Sequence, residues 1–114
     1  MGLPFDRMRY FLGVLMSIAA PCQASVCGLY QTEDFGERVL YTLTRFSGSG
    51  TGKVQQTVFT ITNPANQTVR GMVRGACYCA DGIVQQDPEF DGDLSYQLFT
   101  LVQLIGPPYA GCIP

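Results

Sequence analysis

The chain has 114 residues, seven basic against nine acidic side chains, a formal net charge of -2, no histidine and no tryptophan. The lack of histidine removes Ser-His-Asp and Cys-His nucleophilic sites and the ordinary catalytic zinc site in one step. The acidic balance argues against a phosphate-backbone footprint, since nucleic-acid binders of this size are usually basic.

Arg7 and Arg9 precede the apolar run from Tyr10 to Ala20, and Pro21-Cys22-Gln23-Ala24 follow. This reads as a secretory signal peptide over residues 1–24. Its apolar part is far short of the roughly 20 residues that a spanning helix needs, and Ala24 suits a cleavage point before Ser25. Pro21 is not the small residue that a lipidated Cys22 would need before it. The expected mature chain is a single domain over residues 25–114, secreted or periplasmic and without a transmembrane segment. It carries five basic and eight acidic residues, a formal charge of -3.

Residues 25–35 give no firm element. Glu37 to Phe46, rich in β-branched and aromatic residues, predicts a long strand. Ser47 to Lys53 is a flexible hairpin loop. Its glycines do not make a phosphate cradle, because Gly52-Lys53 runs into another strand and not into a helix. Val54 to Thr62 alternates as a second strand, and Asn63-Pro64-Ala65-Asn66-Gln67 ends it with turn chemistry. Asn66-Gln67-Thr68 also matches a glycosylation acceptor.

Thr68 to Ala80 predicts a central strand with apolar residues in both alternation phases, as in a well-covered sheet, and with Gly71 and Gly75 marking a bulge or a close approach. Ala80-Asp81-Gly82 is a turn signal, and Ile83 to Gln86 a short strand or helical turn. An acidic loop runs from Asp87 to Asp93. Leu94 to Ile105 is the last and most apolar strand, with a change of phase that predicts a bulge or burial on two sides. No helix of standard length, internal repeat or linker is visible.

Four cysteines follow the leader, Cys27, Cys77, Cys79 and Cys112, and predict two disulfides in an exported chain. A Cys77–Cys79 bridge would close a very short ring between residues that point the same way in a strand. Cys27 and Cys112 should therefore each take one of the central pair. A four-thiolate zinc site is usually announced by spaced C-x-x-C pairs, which this chain lacks.

The segment Val69-Arg70-Gly71-Met72-Val73-Arg74-Gly75 is similar to the V-x-G-x-V strand near the end of OB-fold domains, and a Leu-rich final strand, Tyr96 to Ile105, follows it. Over residues 69–105 the chain resembles a small exported bacterial OB-fold protein. The resemblance implies an all-β, five-stranded, closed or partly open barrel, here stapled by disulfides, with ligands on a strand face and its rim loops. The chain departs from such barrels in having few basic residues and no tryptophan for nucleic acid or sugar.

Two surfaces are candidates. Arg70, Arg74, Tyr41 and Tyr96 would hold a protein, peptide or glycan partner through aromatic contacts and arginine hydrogen bonds. Asp87, Glu89, Asp91 and Asp93, with Gly92, match the opening of a calcium loop, although Leu98 stands where the closing glutamate belongs. Asp87 and Asp91 as an acid–base pair would need a shaped and partly dry site, which a Gly- and Pro-containing loop does not suggest. The expectation is a non-enzymatic binding module without a cofactor. The rival is a structural envelope or inhibitor protein acting through the acidic loop, with weak calcium binding.

Overall fold

A computed structural model of the chain describes residues 20–48 and 52–114. Five strands make the fold: β1 (Cys22–Asp34), β2 (Val39–Ser47), β3 (Gln55–Ile61), β4 (Cys77–Gln86) and β5 (Tyr96–Leu104). They form a closed ring in the order β1-β2-β3-β5-β4, so that among the described residues no strand is left as a sheet edge. All neighbours are antiparallel except β3 and β5, which run parallel from Val58↔Tyr96 to Ile61↔Phe99.

The alternation read in the sequence decides what fills the ring. Leu43 pairs with Phe59, and both are buried with Val26, Tyr30, Ile61, Ala80, Phe99 and Leu101. Phe59 meets Phe99 edge to face at 6.3 Å, as Tyr30 meets Tyr78 at the same distance. Two glycines let the strands coil this tightly. A Cβ on Gly28 would lie 2.6 Å from the Thr44 carbonyl oxygen, and one on Gly82 would strike the Thr100 carbonyl and lie 2.7 Å from the Phe99 ring. The last strand carries the expected irregularity. Asp81 faces Gln103 while Gly82 faces Leu101, so Val102 is the extra residue of a bulge and stands exposed.

The predicted strand over Thr68 to Ala80 is corrected in its first two thirds. Gln67–Arg70 is a single helical turn, α1, and strand pairing begins only at Cys77. Asn66 causes the switch, because its side chain accepts the Thr68 N–H at 2.8 Å and caps the turn. Asn63 docks the connection on β5, donating to the Leu101 carbonyl at 2.8 Å and accepting its N–H at 3.0 Å. Val69 on α1 and Met72 just after it, which donates its N–H to the Val69 carbonyl at 3.0 Å, are both buried and close one end of the barrel, whereas Val73 is exposed. Each buried side chain contributes about 1.5 to 3 kcal/mol. The V-x-G-x-V segment is thus a helical turn and a loop. Ala80-Asp81-Gly82, expected to turn, continues β4 through to Gln86.

The disulfides join Cys27 to Cys79 and Cys77 to Cys112, so both chain ends are tied to the start of β4. The C-terminal segment follows β4 closely: Ile105 donates its N–H to the Cys79 carbonyl at 2.8 Å and Tyr109 to that of Cys77 at 3.0 Å. Residues 1–19 of the expected leader lie outside the described residues. Cys22, Gln23 and Ala24 belong to β1 and pair with Val84, Ile83 and Gly82. Cleavage before Ser25 would start β1 opposite Asp81.

Candidate functional site

The four residues expected to form a ligand surface do not come together. Tyr41 points inward on β2 and packs against the core. Arg70 is exposed on the last turn of α1, and Arg74 donates from Nη1 to the Thr32 hydroxyl at 3.3 Å in a shallow hollow with Gln31 and Gly75. Tyr96 starts β5, at the opposite end of the barrel from α1, and stacks on Phe90 with ring centroids 4.1 Å apart.

The acidic loop is built by its own carboxylates. Asp87 is buried and caps a 3-10 turn over Pro88–Phe90, its Oδ1 accepting the Glu89 N–H at 2.9 Å. Asp93 does the same for the Ser95 N–H at 2.9 Å. Asp91 follows the turn. Among the described residues no three of His, Cys, Asp and Glu gather as metal ligands. The Asp87 and Asp93 side chains order the loop.

That ordering creates a cleft. Leu40, Thr60 and Leu98 alternate with the buried Leu43, Phe59, Ile61 and Phe99, and so face outward from β2, β3 and β5. The 87–95 loop turns back onto this face through the Phe90–Tyr96 stack, and Arg38 approaches from the loop between β1 and β2. They enclose about 320 Å3, lined by Arg38, Leu40, Thr60, Asp87, Pro88, Glu89, Phe90 and Leu98. Its base is apolar, and a cation and a carboxylate stand at its rim. The outward phase of β2 and β3 was visible in the sequence. The folding of the 87–95 loop onto it was not.

A second, more polar concavity of about 460 Å3 lies beside the β5 bulge, between the start of β1, Asp81 and Gln103. The Ser25 hydroxyl donates to Asp81 at 2.6 Å and the Gln103 amide at 3.2 Å. These two bonds hold the Asp81 carboxyl below its usual range, Ser25 first. No family model, curated protein or solved structure matches the chain.

Proposed function

We propose that the chain is an exported binding module of OB type, which recognises a peptide or glycan in the cleft between Arg38 and the Pro88–Phe90 turn and performs no chemistry on it. The observation that carries this reading is the 87–95 loop packed onto the outward face of β3 and β5, which turns a convex barrel wall into a concave site. Support for the OB type comes from the strand order and from the parallel β3–β5 pair, with α1 between β3 and β4, and no longer from the V-x-G-x-V segment. In OB barrels the face of strands 2 and 3 and the loops after strands 1 and 4 bind ligands. Those are the positions of Leu40, Thr60, Arg38 and Phe90.

Export is consistent with two disulfides and with the finding that, among the described residues, no helix is long and apolar enough to cross a membrane. Binding without catalysis is in keeping with the absence of histidine. Phe90 and Arg38 are the anchors: an exposed aromatic ring held by a stack, and a guanidinium able to hold a carboxylate or hydroxyl.

The test is to probe glycan and peptide arrays with the labelled exported protein, then to titrate each hit against Arg38→Ala and Leu98→Asp variants. We expect a saturable hit that both variants weaken by about tenfold or more, with unchanged melting. Hits that neither variant affects would refute the cleft as the site.

A further inference from the structure

The two ends of the barrel differ. At one, Val69 of α1 and Met72 just after it are buried against the core. At the other, where β1, β3 and β5 start and β2 and β4 end, the described residues place only the short 3-10 turn Pro88–Phe90, which contributes no buried side chain. There a cavity of about 300 Å3 opens above the core.

Its floor is apolar, made by Val26, Phe59 and Val84, and Leu94 overhangs it from the 87–95 loop. Its polar groups are different in kind from those of the outer cleft. Arg45 shares the inward phase of Leu43 and pairs with Thr57, and its guanidinium carbon lies 5.2 Å from the centroid of the Phe59 ring. The cation is therefore drawn over the floor by the ring face and not left to solvent alone. Thr57 and Gln97 add hydrogen-bonding groups, one Gln97 amide N–H being taken by the Leu94 carbonyl at 2.9 Å, and no carboxylate lines the cavity, although acidic residues outnumber basic ones in the chain. A pocket with an apolar base and a few convergent polar groups is the usual form of a small-molecule site, and this volume lies at the lower end of the range.

We propose that the open barrel mouth binds a small amphipathic anion, a carboxylate or sulfonate on an apolar body, with the head on Arg45 and the body over Phe59, Val26 and Val84. The site shares no lining residue with the outer cleft. Arg45 and Arg38 variants therefore test the two sites separately, although Leu94 belongs to the same 87–95 loop that builds the cleft. Cys22 and Ala24 contribute to one wall, so cleavage before Ser25 would widen the mouth.

The probe is octanoate, with octylammonium as its charge-inverted counterpart, titrated by calorimetry into the exported protein whose N-terminus has been read by mass spectrometry. We expect saturable octanoate binding with a Kd on the order of 1 mM or tighter and much weaker binding of octylammonium. Arg45→Gln should weaken octanoate about tenfold or more, the loss of one charge-assisted contact, while Arg38→Gln leaves it unchanged. Leu94 is 70% exposed, so Leu94→Asp disturbs no core and tests the site should the Arg45 variant misfold. It should also reduce binding, by placing a like charge over the mouth. Absence of saturable heat with octanoate, equal binding of octylammonium, or octanoate binding insensitive to both mouth variants would overturn the proposal.

Discussion

Replacing Asn63 by alanine tests the account of how α1 comes to close the barrel. The Asn63 amide bonds both the N–H and the carbonyl of Leu101, and Leu101 is 1% exposed. It prolongs the β3–β5 pairing beyond the last strand residues, where Thr62 donates its N–H to the Phe99 carbonyl at 2.9 Å. Each hydrogen bond is worth about 0.5 to 1.5 kcal/mol net, and a buried backbone group left unpaired costs about 1 to 3 kcal/mol. Because the site is part-buried and water can restore some of the loss, the expected destabilisation is about 2 to 4 kcal/mol. Urea titration measures it directly. For a domain of this size Tm should also fall by at least about 8 °C, taking roughly 4 °C per kcal/mol. Asn63→Asp keeps the acceptor for the Leu101 N–H but sets an anionic oxygen against the carbonyl, and should cost at least as much at neutral pH. An Asn63→Ala protein within about 0.5 kcal/mol of the parent would refute the role given to Asn63.

Removing the Cys77–Cys112 bridge with paired serines should cost roughly 3 to 4 kcal/mol on the chain-entropy account and open residues 106–114 to proteases, read by urea titration and limited proteolysis. Gly82→Ala should destabilise by about 1 to 3 kcal/mol through overpacking against Phe99 and Thr100, whereas a neutral result would mean that β4 can move away from β5 there. Burial, followed by the neighbouring Tyr41 and Tyr78, raises the Tyr30 pKa, and Arg74 opposes this. The stability from its neutral form is complete below the unfolded value of about 10 and is lost as pH rises through the folded one. Tyr30→Phe should therefore flatten the alkaline limb of a stability-against-pH curve.

The strands β2, β3 and β5 were legible because their apolar residues repeat every second position within runs bounded by turn residues. The pairing of both chain ends with the central cysteines followed from strand geometry in the same way. Residues 68–76 do not follow the expected strand because Val69 and Val73 suit alternation on paper, while Val69 and Met72 are the pair that folding buries. Asn66 and Asn63 decide that choice with side-chain bonds to backbone, one local and one 38 residues away. Period alone cannot reveal the second.

The candidate sites separate along the same line. Arg70, Arg74 and Tyr41 looked like one surface with Tyr96 because composition says which residues can bind, not which face they share. The structure sets Tyr41 against the core, the arginines near α1 and Tyr96 at the other end, and it assembles Arg38, Leu40, Thr60, Phe90 and Leu98 from four separate segments.

By itself the sequence determined an all-β, doubly cross-linked chain, since periodicity and cysteine number are local or countable properties. Tertiary structure alone decided which loop folds over which strand face and which end of the barrel α1 closes. Those outcomes depend on ring closure: β3 pairs with β5 and β1 with β4 across long stretches of chain, and only then do outward side chains become the walls of a cleft or a mouth.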